Sequence, residues 1–245
     1  MPSNIIGTKI TYHCEEEEFT GYYAYDSNIK DERPGVLIVH EMWGFSDYVK
    51  NRADQLAELG YAAFALDMYG SNKTSDNPAQ AQALMMEVNN NPALMQARFT
   101  AAQKVLQAQP QTLADKVAAI GYCFGGRVVL GMARAGVDLA AVVSFHGILK
   151  TQHTLTKETF AGKIAVYTGE KDPLVPHDDI TNFIEEMNEA EADYSIKIYP
   201  NATHAFTNPT ATKRGEETGA PLKYDAEADL DSWQGMQEVF VKAFE

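Results

Sequence analysis

Hydrophobic and polar positions along this chain switch repeatedly between a strand-like and a helix-like period. Residues 35–40, GVLIVH, form a continuous β-branched run, the pattern of a strand buried on both faces of a parallel sheet. From Asp47 to Leu59 the apolar positions fall at Val49, Ala53, Leu56 and Leu59, which is helical spacing, and Gly60 ends the helix. YAAFALD, residues 61–67, reads as the next strand. Residues 78–88 and 92–107 are rich in Ala, Gln and Met and predict two helices, with Pro78 and Pro92 near their starts, where a missing N–H is tolerated. KVAAIGY, 116–122, is a strand, 123–135 a helix, and AAVVSFHG, 140–147, and KIAVYTG, 163–169, are strands. HDDITNFIEEMNEA predicts a helix and YSIKIYP, 194–200, a strand. A last helix is expected from about Leu222 to Phe240, burying Leu230, Trp233, Met236, Val239 and Phe240. Ahead of all these, TKITYHC and FTGYYAY predict two strands. The EEEE between them is expected to be a solvated turn or an edge that discourages pairing.

Strands that alternate with helices predict an α/β fold, a mostly parallel sheet with helices on both faces. No repeat, linker or low-complexity segment interrupts the pattern, so a single domain over residues 1–245 is expected. A chain of this length can bury a core without a disulfide or a metal.

Composition narrows the partners. The formal net charge is -14, which repels nucleic acid and anionic membranes, so neither is expected as a partner. No run of about eighteen apolar residues is present to span a bilayer. The start, MPSNIIGTKI, lacks the basic and apolar stretches of a secretory leader. Two distant cysteines, Cys14 and Cys123, make no disulfide framework. A reactive thiol needs a reducing compartment, so a cytoplasmic location is expected.

Cys123 carries the chemistry. Gly121-Tyr122-Cys123-Phe124-Gly125 follows an apolar strand and opens a helix, which is the nucleophile-elbow pattern with cysteine in the serine position. The turn is so tight that positions two residues away tolerate no side chain. The helix start points its N–H groups at the sulfur and favours thiolate. A thiol nucleophile needs a base, and the base an orienting acid. In this architecture they follow in the order acid, histidine, each at a strand end. Asp172 stands after KIAVYTG and His204 after YSIKIYP, and both fit. His40, His146 and His177 compete less well, though His146 ends a strand and is a candidate for lining the pocket. After the strand GVLIV comes His40-Glu41-Met42-Trp43-Gly44. The backbone N–H groups of Met42 and Phe124 are the candidate oxyanion donors, and losing one such donor costs about 3–4 kcal/mol. A carboxylate at Glu41 can take and hold the thiol proton. Trp43 and Phe206, with His146, are candidate substrate contacts.

HEMWG, GYCFGG, GEKDPLVP and HAF, in that order, resemble the dienelactone hydrolase family of α/β-hydrolases over roughly residues 8–243. The resemblance implies an eight-stranded sheet and a Cys123–His204–Asp172 triad. It implies that Glu41 pairs with the resting thiol and takes its proton when substrate enters. A thioester acyl-enzyme, no metal or organic cofactor and a monomer are implied as well. Family members that act on dienelactone hold its carboxylate with arginines and a serine, of which one arginine and the serine lie just after the histidine. Those places here are Ala205 and Asn208, which carry no charge. Another carboxylic ester or lactone is therefore as good an expectation as dienelactone. Arg98, in QARFTAAQ, is expected to be a plain surface arginine. A thiol-based redox protein, a cysteine peptidase or a non-catalytic binding module are the alternatives. Cys14 is the only resolving cysteine a redox role could use.

Overall fold

The computed structural model describes residues 2–245. Along the described chain run β1 (Ile5–Cys14), β2 (Glu17–Asp26), β3 (Arg33–Val39), α1 (Asp47–Glu58), β4 (Ala62–Leu66), α2 (Pro78–Asn89), α3 (Pro92–Gln107) and β5 (Thr112–Tyr122). They are followed by α4 (Phe124–Arg134), β6 (Ala141–Phe145), β7 (Lys163–Gly169), α5 (His177–Glu189), β8 (Tyr194–Tyr199), α6 (Ala211–Thr218) and α7 (Ala226–Phe244). The eight strands hydrogen-bond in the order β1-β2-β4-β3-β5-β6-β7-β8, the mostly parallel α/β sheet that the alternation predicts. The chain divides into two compact units, one ending at Ala119 and one spanning Ile120–Glu245.

In the first unit β1 and β2 form an antiparallel ribbon that places Ile5 opposite Asp26 and Cys14 opposite Glu17. β2 pairs antiparallel with β4, and β3 runs parallel to β4 with Val36 beside Ala63. Val36 to Val39 and all of β4 are buried, as a run without polar alternation requires. α1 turns Val49, Ala53, Leu56 and Ala57 inward and stops at Gly60, whose φ of 94° is one that glycine adopts at little cost.

Two expectations change here. Arg98 is not a surface residue: it is 3% exposed. Its Nη1 donates to the Met68 carbonyl at 2.8 Å and its Nη2 to Glu17 Oε2 at 2.6 Å, while its guanidinium lies 5.2 Å from the Phe19 ring centroid. The acidic run is likewise only partly a solvated turn. Glu15 and Glu16 make the turn, but Glu17 enters β2 and accepts from Arg98 and from Lys73. An arginine can sit on the inner side of a helix when its stem packs on an aromatic ring and its head finds a carboxylate.

In the second unit β6, β7 and β8 are parallel, with Val142 beside Ile164 and Val166 beside Ile196. α4 packs on β6, and α7 packs on β6 and β7. The buried stripe of α7 is Ala228, Ser232, Met236 and Phe240, a spacing of four. Leu230, expected on that stripe, is 71% exposed because it lies off this face. The short polar helix α6 was not expected from the pattern. It buries only Ala211 and Gly215, which leaves no apolar periodicity to read.

α4 and α5 are joined by a buried ion pair. Arg134 Nε and Nη2 donate to the two carboxylate oxygens of Glu186, each at 2.8 Å, and Glu186 Oε1 also accepts from the Leu155 N–H at 2.6 Å. Removing one partner of such a pair leaves the other charge buried and uncompensated. Glu186→Ala is expected to lower the free energy of unfolding by about 3–5 kcal/mol, read from urea denaturation. A change within about 0.5 kcal/mol, the range of an ordinary surface substitution, would mean that the pair contributes nothing.

Candidate active site

β5 and α4 meet at Cys123, whose φ of 55° and ψ of -113° lie outside the helical and extended regions. A non-glycine residue in such a conformation costs on the order of 1–3 kcal/mol and persists only where its surroundings enforce it. The surroundings here are glycines. A Cβ on Gly121 would lie 2.0 Å from the Gly125 carbonyl oxygen, so a side chain there would push the turn open. A Cβ on Gly126 would lie 2.8 Å from Gly147 Cα and 2.5 Å from Ser144 Oγ. The first turn of α4 thus rests directly on the end of β6. The turn closes with the Gly126 N–H donating to the Cys123 carbonyl at 3.0 Å. The thiol is 9% exposed, at the N-terminus of α4, where the helix dipole favours negative charge.

The two partners come from loops that follow parallel strands. After β7, Asp172 sits in a turn whose N–H reaches Gly169 O at 3.2 Å, and its Oδ1 accepts from the Leu174 N–H at 2.9 Å. Its Oδ2 accepts from His204 Nδ1 at 2.7 Å. The His204 loop, after β8, is pinned by the segment that follows α6. Lys223 N–H donates to His204 O at 3.2 Å and Asp225 N–H to Phe206 O at 3.0 Å. Ala205 adopts a φ of 58°, a second strained position next to the imidazole. With Nδ1 donating to Asp172, Nε2 of His204 is turned to the thiol side. It is buried and has no well-aligned hydrogen-bond partner among the described residues, yet Cys123 is close enough to act on the ring. Complete burial by itself disfavours the imidazolium. The thiolate charge of Cys123 and the hydrogen bond to Asp172 overcome it, so His204 holds its proton well above the ordinary imidazole range. The second unit therefore brings together Cys123, His204 and Asp172 as an acid–base–thiol set.

Phe124 is the first residue of α4, so its N–H belongs to the helix start, and Phe206 is buried beside His146 with ring centroids 5.2 Å apart. His146 is buried completely. Its Nδ1 accepts from the Cys123 N–H at 3.1 Å, and its Nε2 lies 2.7 Å from Thr207 Oγ1. Thr207 was not among the expected site residues. The residues it links lie 61 apart in sequence, which no local pattern signals.

Glu41, Met42 and Trp43 lie in the first unit, in the loop after β3. Glu41 and Trp43 are buried and Met42 is half-buried. This loop is held from below by His40, whose Nε2 accepts from the Met68 N–H at 3.1 Å and whose Nδ1 lies 2.6 Å from the Glu41 carbonyl oxygen. Burial keeps His40 deprotonated below its usual range despite the nearby Asp67 carboxylate, which matches an acceptor Nε2. Tyr69 adds a bond from its hydroxyl to the Met42 carbonyl at 3.1 Å.

Comparison with known proteins places this arrangement. A family model described as "Dienelactone hydrolase family" matches residues 19–244. A solved structure designated m3DLH is 33% identical, with a TM-score of 0.92 over 98% of this chain and 99% of that one. A dienelactone hydrolase-like promiscuous phosphotriesterase from metagenomic libraries is also 33% identical, with a TM-score of 0.90 and the same coverage. A protein of Aquifex aeolicus, provisionally named carboxymethylenebutenolidase, is 26% identical over 94% of this chain and 95% of its own length. With the family model matching nearly the whole chain, this protein belongs to the dienelactone hydrolase family of α/β-hydrolases.

Proposed function

We propose that this protein hydrolyses carboxylic esters or lactones with Cys123 as nucleophile, His204 as base and acid, and Asp172 as the group that orients His204. The observation that carries the reading is the 2.7 Å bond between His204 Nδ1 and Asp172, on a histidine whose proton affinity is raised by Cys123. In the sequence of steps, the thiolate sulfur attacks the acyl carbon and the carbonyl oxygen becomes an oxyanion. The C–O bond to the alcohol then breaks as His204 Nε2 gives it a proton, which leaves a thioester on Cys123. Water, deprotonated by His204, attacks the thioester carbon. The C–S bond breaks, the acid departs and the thiolate is restored. A lactone follows the same path, its alcohol remaining tethered to the acyl group.

In this reading the N–H groups of Met42 and Phe124 receive the oxyanion. Glu41 pairs with the resting thiol and takes its proton when substrate enters, and Trp43 contacts substrate, whereas Phe206 is completely buried and packs on His146. The reaction needs no metal or organic cofactor, and the family match across both units supports one hydrolase domain. A monomer in the cytoplasm completes the reading, and the net charge of -14 fits the expected lack of nucleic-acid and membrane partners. The absence of charge at Ala205 and Asn208 favours neutral acyl groups over substrates with a free carboxylate.

Turnover of p-nitrophenyl acetate, longer acyl esters, neutral lactones and dienelactone by wild type and Cys123→Ala tests the reading. The variant is expected to lose more than about 1,000-fold in kcat. Wild type quenched during turnover is expected to carry one acyl mass on Cys123. Full activity in Cys123→Ala would refute the thiol nucleophile. Faster turnover of dienelactone than of the neutral substrates would refute the preference for neutral acyl groups.

The charge state of His204 gives a separate test. Its native proton affinity is raised, so folding takes up a proton there. The stability from this is complete below the unfolded value of about 6.5 and fades as pH rises through the native value. The stability difference between wild type and His204→Gln, from urea unfolding, is expected to shrink from neutral to alkaline pH. A difference that stays flat over this range would mean that His204 is neutral in the folded protein.

A further inference from the structure

We infer that His146 is a positioning residue, a buried bridge that holds the nucleophile's backbone and the loop of the base in register; the inference rests on the Cys123–His204 reading above. Four contacts carry it. His146 Nδ1 accepts from the Cys123 N–H at 3.1 Å, a bond that N–H shares with the Phe145 carbonyl at 3.0 Å. His146 Nε2 lies 2.7 Å from Thr207 Oγ1, three residues past the base. The imidazole also stands edge-on to His204, with centroids 5.4 Å apart, and to Phe206 at 5.2 Å. One side chain thus touches the nucleophile's own main chain, the base, Phe206 and Thr207.

The tautomer follows from the bonds. A backbone N–H can only donate, so Nδ1 is the bare nitrogen, and Nε2 carries the hydrogen given to Thr207 Oγ1. The ring is neutral in this arrangement, and both its nitrogens are engaged below the thiol rather than toward a substrate. Complete burial fits this role better than direct substrate contact. The backbone agrees. His146 itself has a φ of 42°, so Cys123, His146 and Ala205 are three left-handed non-glycine positions gathered around one set of side chains. Strained positions of this kind persist where neighbouring contacts over-determine them. The main chain at His146 is also pinned, its N–H donating to Tyr167 O at 2.8 Å on β7.

The bridge works on distance. The attack by sulfur and the proton transfers that His204 makes to the alcohol and from water need Sγ and Nε2 held in one geometry, and a misplacement of about 1 Å can cost about 100-fold. His146→Leu keeps apolar bulk but removes both polar atoms. His146→Asn returns an acceptor, Oδ1, near the Nδ1 position, on a residue type that tolerates positive φ. Thr207→Val removes only the hydroxyl. We expect His146→Leu to lower kcat on a p-nitrophenyl ester about 10–100-fold with KM changed less than about threefold, and Asn to recover much of that loss. We expect Thr207→Val to lower kcat in the same way by a smaller factor, and Thr207→Ser to behave as wild type.

The rate of Cys123 alkylation by iodoacetamide at neutral pH, measured on the same proteins, reads the thiol–imidazole pair without substrate. It should fall in parallel with kcat. Circular dichroism and thermal melting identify any variant that fails to fold, in which case the Thr207→Val and Thr207→Ser pair decides. Unchanged kcat and alkylation in folded His146→Leu, or in Thr207→Val, would overturn the bridge. A rise in KM at constant kcat would overturn it in favour of substrate contact. Cys123→Ala, run alongside, separates the two ideas. If it retains turnover, the thiol mechanism itself fails; if it is inactive while the His146 and Thr207 variants match wild type, only the bridge fails.

Discussion

Everything in the second unit that bears on chemistry depends on one backbone conformation, the φ of 55° and ψ of -113° at Cys123. That conformation points a thiol out of a strand–helix junction, and it is unfavourable for any residue with a Cβ. It survives because the chain around it has been emptied of side chains. Gly121 lets the Gly125 carbonyl pass within 2.0 Å of where its Cβ would be, and Gly126 and Gly147 let α4 settle on the end of β6. Hydrogen bonds then lock what the glycines permit, from Gly126 N–H to Cys123 O and from Cys123 N–H to Phe145 O, each at 3.0 Å. The strain is therefore localised at Cys123, and its cost is met by the packing of the glycines around it.

The second consequence is electrostatic. A fully buried imidazole ought to shed its proton, since nothing solvates the charge. His204 does the opposite because two negative groups are held against it, Asp172 on one nitrogen and Cys123 on the other side. Asp172 is itself kept in place by the bond from Leu174 N–H to Oδ1, which leaves Oδ2 for the histidine. A charge pair this buried is stable only when both members stay in position. The buried pair of Arg134 and Glu186, also in this unit, obeys the same rule for structural ends.

Much of this was legible along the chain because the relevant signals are local. GVLIV, AVVSF and KIAVYTG are apolar along most of their length, and their strands are buried almost throughout, as that predicts. Cys123, Asp172 and His204 were identified by type and by position at strand ends, a chain-order rule that needs no coordinates. What was hidden was partnership at a distance. Arg98 looks like any helix arginine until Glu17, 81 residues away, is seen to meet it. Leu230 looks like part of an apolar face, but small residues, Ala228 and Ser232, occupy the buried stripe of α7, and composition alone favours the larger side chain. Thr207 is an ordinary threonine in sequence, and its only distinguishing feature is the histidine it faces.

The two histidines at the site make the last point, because they stand 5.4 Å apart and need opposite charge states. In the proposed mechanism His204 carries a proton on both nitrogens when it pairs with the thiolate. Were His146 protonated as well, two cations would face each other in a buried space, and the second charge would work against the first. The bond from the Cys123 N–H prevents this, since a protonated Nδ1 would set hydrogen against hydrogen. The elbow's own backbone thus keeps the lower histidine neutral, which leaves the positive charge to the upper one. In the proposed mechanism the conformation of Cys123 does two things at once: it presents the sulfur, and it preserves the proton on the histidine that the sulfur needs.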